Sequence, residues 1–248
     1  SWNWSAQPYP AGNQTATFIN NGNGQTTIDL AGLSFGVSNI VFDSASVAAY
    51  TLGSGGANQQ ALVFTNNSTL RVGATVIESQ RVDATVLLGH DRASSTHTFR
   101  NDQSLGTLTL AGNVTATNSG GTAGTKNLNL AGNGTITISG NISLGGASAL
   151  TLTSSNLGLT TLSGSNRVTT VTSAGGPMAL SGTNNIDLLN LNTASLLTFS
   201  GTNILARLDL NGSSTLPALI TLSAGSSLSL TNGGGQMIAA YQDAVING

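Results

Sequence analysis

Residues 106–113 read GTLTLAGN, and residues 134–141 read GTITISGN. In each, apolar and small polar residues alternate over four positions and then break at Gly or Asn, the signature of a short strand bounded by turns. The same texture returns in KNLNLAGN at 126–133, SALTLTSS at 148–155, LTTLSGSN at 159–166 and SSLSLTNG at 226–233. Alternation sends neighbours to opposite faces of a strand. Leu108, Leu110, Leu128, Leu130, Ile136, Ile138, Leu150 and Leu152 are therefore expected inward, with the intervening Thr and Asn outward. No stretch before residue 235 has a helical period, so the fold class is all-β.

The strands also recur. Gly112 in LAGN returns as Gly132 after 20 residues; Gly164 in LSGSN returns as Gly182 after 18 and as Gly201 after 19. A unit of about 18–20 residues holding two or three strands corresponds to one coil of a parallel β-solenoid. Roughly a dozen coils would stack at about 4.8 Å, with apolar columns inside, Thr/Ser/Asn columns outside, and Gly and Asn at corners needing positive φ. An antiparallel sandwich tolerates the alternation but gives no reason for L-S-G-T-N at near-constant spacing.

Composition fits stacking. Ser, Thr, Asn and Gly make up 121 of 248 residues, while charged residues are 6% and hydrophobic residues 39%. Enough apolar residues remain for a core, which excludes ordinary disorder. Like charges stacked on successive coils would repel, which suits their scarcity. A net charge of −2 with seven basic residues leaves no electrostatic grip on nucleic acid or an anionic membrane. No apolar run reaches the ~20 residues that a membrane span needs. With Cys at 0, neither a disulfide nor a thiolate metal site can form.

The chain reads as one domain, 1–248, in three parts. Residues 1–104 hold both Trp residues and most of the charge; 105–234 are a low-charge repeat body; 235–248 form a cap or terminal strand. In that last part Met237, Ile238, Tyr241 and Val245 fit a helix or a strand equally. A start at Ser1 fits a cleaved signal peptide or a trimmed precursor.

An N-terminal W-x-W-S, followed by ATFINNG, TTIDLAG, VSNIVFDS and YTLGSGG and then LTLAGNV and LNLAGNGTITISGNIS, resembles the autotransporter-associated β-strand repeat proteins. Relatives include autotransporter passenger domains and secreted surface proteins with PEP-CTERM tails. The resemblance covers most of the chain and implies a right-handed parallel β-helix (β-solenoid), exported to the outside or surface of a bacterium. It carries over no catalytic residue. Two further family features, a C-terminal translocator barrel and a sorting tail, are not among these motifs.

The densest chemistry lies in 71–102, with Arg71, Glu78, Arg81, Asp83, Asp91, Arg92, Arg100 and Asp102 beside His90 and His97. A carboxylate cluster with a basic group would suit a polysaccharide-active enzyme, and GHDR at 89–92 is its centre. The signs alternate, however, as solvated ion pairs on adjacent coils would. Two histidines seven residues apart are no zinc signature. GGTAGTKN at 120–127 lacks the Asp of a calcium-binding repeat, and residues 103–186 contain no acidic residue. Thr pairs at 107/109, 115/117, 135/137 and 151/153 suggest an ice-binding rank, but they follow no fixed coil length and fade after 160.

The functional expectation is therefore a non-enzymatic extracellular structural protein with no cofactor, no metal and no catalytic residue. Its partners would be copies of itself, stacked head to tail into a filament, sheath or fibre, with cell-surface polysaccharide as a second partner class. The terminal coils would carry the contacts, through Trp2, Trp4, Tyr9, Met237, Ile238 and Tyr241. A monomeric adhesin-like passenger domain is the alternative.

Overall fold

The computed structural model describes residues 2–3, 14–30, 34–89, 94–117, 124–192, 195–211, 218–231, 238–240 and 244–247. Among these the chain is all-β. The one helical element is a single 3₁₀ turn at Gly22–Gly24, and no helix is long and apolar enough to cross a membrane.

Every strand pairing is parallel, and the strands form two sheets of 11 and 14 members. The larger sheet divides lengthwise. In Ala61–Val72 the first half pairs with Thr85–Leu88 and the second half with Ser95–Asn101. Three ladders result, and the chain visits them in a fixed order. One round runs through Thr107–Leu110 in the first ladder, Val114–Ala116 in the second and Thr125–Gly132 in the third; the next runs through Thr135–Ile138, Ile142–Ser143 and Ala149–Ser154. From Ser165–Ser173 through Thr202–Asn211 one long strand serves both the second and the third ladder, and the last rung again splits into Ser227–Leu230 and Ile238–Ala240.

Parallel in-register pairing turns the alternation of the sequence into columns. One inward column of the first ladder runs Ile28, Leu52, Val82, Leu110, Ile138, Leu162, Leu180 and Phe199, each paired with the next and each buried. Fully burying such a side chain contributes about 1.5–3 kcal/mol, so the columns carry most of the apolar driving force. All eight residues expected inward from the alternation are fully buried. Near the first rungs Phe18 stacks on Phe42, with ring centroids 4.8 Å apart, and meets Tyr50 in a tilted contact at 5.0 Å. Burial raises the Tyr50 phenol above its ordinary value, and its hydroxyl donates to the carbonyl of Asn20 at 3.2 Å.

The round length differs from the expected 18–20 residues. Leu162 pairs with Leu180 and Leu180 with Phe199, steps of 18 and 19, but Val82 to Leu110 and Leu110 to Ile138 are steps of 28, and Leu52 to Val82 is 30. The 30-residue round runs through the single long strand Ala61–Val72 and spends its extra residues in the connections, whereas the 28-residue rounds also divide the second and third ladders between separate strands. Gly112 and Gly132 are accordingly not equivalent. Gly112 follows the first ladder, whereas Gly132 ends a third-ladder strand at φ +114.

The equivalent of Gly112 is Gly140, followed by Gly164, Gly182 and Gly201. A Cβ on Gly140 would lie 2.1 Å from the Gly112 carbonyl oxygen; on Gly164, 2.2 Å from that of Gly140; on Gly182, 1.9 Å from that of Gly164; on Gly201, 2.3 Å from that of Gly182. None of these glycines has positive φ. They are required because successive backbones cross too closely for any side chain.

Asparagine also departs from expectation. Among the described residues only Asn23 and Asn58 are non-glycine residues at positive φ. Asn166, Asn184 and Asn203 are buried strand residues pointing inward. The terminal segment, legible as helix or strand, is strand at Ile238–Ala240 and Ala244–Asn247.

Candidate functional site

Three groups of polar side chains stand out against the neutral body. The first is the charged window. Parallel register places Arg71 directly against Arg100, a like-charge pair on neighbouring rungs. Asp102 resolves it: Nε of Arg71 lies 3.2 Å from one carboxylate oxygen and Nε of Arg100 lies 2.6 Å from the other. Burial pushes the Asp102 carboxyl up, but the hydrogen bonds and charges of Arg100 and Arg71 outweigh it and hold the group below its ordinary value. The same hydrogen bond raises Arg100 against a smaller opposing effect of burial. A carboxylate clamped between two guanidinium groups is a poor proton donor and a weak base near neutral pH. What it does well is to join two rungs.

Other charges pair in the same fashion. Arg81 meets Asp83 at 2.7 Å, Arg167 meets Asp187 at 2.9 Å and Arg207 meets Asp209 at 2.5 Å. The alternating signs of QRVD thus become a neighbouring ion pair on one outward face. His90, Asp91 and Arg92 of GHDR lie outside the described residues. No group of three His, Asp or Glu residues placed to hold a metal occurs among the described residues.

The second group is buried. His97 is fully enclosed, with Ser68 Oγ 2.5 Å from Nδ1 and Ser95 Oγ 2.8 Å from Nε2. Lys126 pairs with Ser95 in register, is also fully buried, and donates from Nζ to the Gly89 carbonyl at 2.7 Å. Gly89, at φ +62, is where these groups converge: a Cβ there would lie 2.0 Å from Ser95 Oγ and 2.7 Å from Lys126 Nζ. A buried ammonium needs such acceptors, since desolvation without them costs several kcal/mol. Sequence reasoning passed over Lys126, although TKNLNL puts it in phase with Leu128 and Leu130 and hence on the inward side.

The third group is a row of amides. Asn166 Nδ2 donates to Asn184 Oδ1 at 2.8 Å, and Asn184 Nδ2 donates to Asn203 Oδ1 at 2.8 Å. The row is closed at its ends: the Ile142 amide donates to Asn166 Oδ1, and Asn203 Nδ2 reaches the Ser227 carbonyl. Its sequence signal is the residue two after each stacked glycine, in LSGSN, LSGTN and FSGTN.

Of the residues expected at the ends, Trp2 lies in the strand Trp2–Asn3, which opens the first ladder opposite Ile28. Ile238 starts the strand Ile238–Ala240 against Leu208 in the third ladder and is 40% exposed. Trp4, Tyr9, Met237 and Tyr241 lie outside the described residues. The two described members are therefore at opposite ends of the stack and on different ladders. Compared with known proteins, the chain matches no family model, no curated protein and no solved structure.

Proposed function

We propose that the chain forms a right-handed parallel β-solenoid and serves as a non-enzymatic structural subunit outside the cell, joined head to tail with its own copies. One observation carries this reading. The first and last described strands, Trp2–Asn3 and Ala244–Asn247, belong to the same ladder and run parallel. The outer edge of Ala244–Asn247 in one copy can receive Trp2–Asn3 of the next, extending the first ladder with its strand direction kept. Backbone hydrogen bonds would supply the affinity, as in other strand-addition contacts. Such contacts are heterologous, so they need not close and can run on as a fibre.

Surface character supports the same reading. The charges described above are mostly neutralised within the molecule, so copies can approach along the stack without building like-charge columns. The exposed Ile238 adds apolar area at the terminal rung. The sequence resemblance to autotransporter-associated repeat proteins supports an extracellular location on a bacterium.

Deleting residues 1–10 tests the contact. Electron microscopy should show filaments for the intact chain and none for the deletion, while circular dichroism of both remains that of a folded β protein. An intact chain that stays a monodisperse monomer at high concentration would overturn the proposal.

A further inference from the structure

The outward side of the first ladder differs from the others. Its second outward column runs Thr109, Thr137, Thr161, Ala179, Thr198 and Thr221, each paired in register with the next. Beside it, two positions earlier in the chain, stand Thr107 and Thr135 and then, on later rungs, Leu159, Pro177, Leu196 and Leu219, of which Leu159 and Pro177 immediately precede their strands. Six successive ranks carry no charged side chain. Arg81 marks where the strip begins, paired with Thr109. Charge is kept to the earlier rungs of this ladder, at Asp29 and Arg81, and to other surfaces: Arg71, Arg100, Arg207 and Asp209 on the third ladder, and Arg167 with Asp187 on the long strands that turn from the second.

The strip is also regular. Its registers run without the shift seen elsewhere, where the pairing of Ser34–Phe42 with Ala61–Val72 slips between Val37 and Asn39. Ranks therefore repeat at about 4.8 Å along the stack, and the two columns stand about 6.6 Å apart. Threonine is stiff at χ1 because its Cβ is branched, so the hydroxyls and methyls hold their places at little entropic cost. Leu159 and Leu196, each 40% exposed, add apolar area among them.

The geometry points to this strip as a binding face for crystalline water. A hydroxyl gains little by exchanging one water for another, so a single group cannot tell ice from liquid. Many fixed groups at a constant interval can, because only the solid presents matching oxygens at every rank. Neutrality matters for the same reason, since an ammonium or carboxylate would impose its own hydration shell on the surface. The methyls and leucines release disordered water when a solid surface covers them. A sugar chain fits less well, because the strip has no aromatic platform and no amide or charged group to orient it.

The sequence alone argued against this function, because the Thr-x-Thr pairs have no constant spacing. Register removes that objection. Pairs 107/109 and 135/137 stack directly, 151/153 belongs to the third ladder, and beyond 160 the column continues with Thr161, Thr198 and Thr221, interrupted once by Ala179.

The intact chain should adsorb to growing ice, shape the crystals and show thermal hysteresis. Thr137→Lys, a charge in the middle of the strip, should abolish most of that hysteresis; Thr153→Lys, on the outward side of the third ladder, should retain it. Both side chains point outward, and matching thermal midpoints by circular dichroism would show that both variants fold. Exclusion of the intact chain from ice with no hysteresis overturns the proposal, as does an equal loss in the two variants. Neither outcome bears on filament formation, which electron microscopy reads separately.

Discussion

Asn166 and Asn184, eighteen residues apart in sequence, are joined side chain to side chain at 2.8 Å in the interior, and Asn184 passes the same bond on to Asn203. The middle amide both accepts and donates. Each Asn is locked to the next rung by the register that stacks the backbones, so the row fixes vertical alignment where apolar contacts alone would permit slippage.

Replacing Asn184 by Ala removes an acceptor for Asn166 and a donor for Asn203, leaving two buried polar groups without that partner. The expected loss is about 2–4 kcal/mol, since each orphaned buried group costs on the order of 1–3 kcal/mol. Asn185→Ala, at the exposed neighbouring position, should change stability by less than about 0.5 kcal/mol. Denaturant midpoints of the two variants check this.

Two glycines separate close approach from backbone conformation. Gly182→Ala would put a Cβ 1.9 Å from the Gly164 carbonyl, which forces neighbouring rungs apart. A loss of about 3 kcal/mol or more is expected, at the upper end of overpacking costs. Gly24 has φ +80 and open space around its Cβ position, so Gly24→Ala should cost only about 1–2 kcal/mol, the penalty of the left-handed conformation. Equal losses would show that the glycine column is not set by rung contact.

Asp102 sets an acid limit. Its carboxyl is held below its ordinary value of 3.8 in the folded protein. A lowered folded pKa gives stability that is fully present above the unfolded value and disappears as pH falls through the folded one. Thermal midpoints should thus drop as pH is taken below about 4, the unfolded range of an Asp carboxyl. Asp102→Asn should flatten that part of the profile. At pH 7 the variant should be less stable by roughly 1–2 kcal/mol, because Arg71 and Arg100 then face each other without a bridging carboxylate.

How much of this was readable beforehand depended on whether a feature was local. Period-two alternation identified Leu108, Ile136 and Leu150 as core because facing is decided within one strand. The spacing of Gly164, Gly182 and Gly201 identified true rung-to-rung neighbours because in that region one long strand fills two ladders and each round is short. Gly112 and Gly132 looked like another such pair, yet LAGN occurs at two different corners of one round. Connection length, which no local pattern encodes, hid the true partner at Gly140. The usual preference of asparagine predicts turns; the burial of Asn166, Asn184 and Asn203 accompanies side-chain hydrogen bonds between rungs, a tertiary effect. Lys126 is legible from phase, but a charged residue in an inward position runs against the usual rule, and its accommodation depends on acceptors such as the Gly89 carbonyl that only the fold brings to it.

The central claim is that copies continue the first ladder end to end, and the subunit repeat along a filament measures it most directly. Eleven first-ladder strands at about 4.8 Å predict an axial repeat of roughly 50–55 Å, with the strands lying across the filament axis. Electron microscopy of the intact chain, with diffraction from aligned filaments, should give that repeat together with a strong reflection near 4.8 Å along the axis. Filaments whose strands run along the axis, or particles that never exceed the length of one subunit at any concentration, would contradict the account.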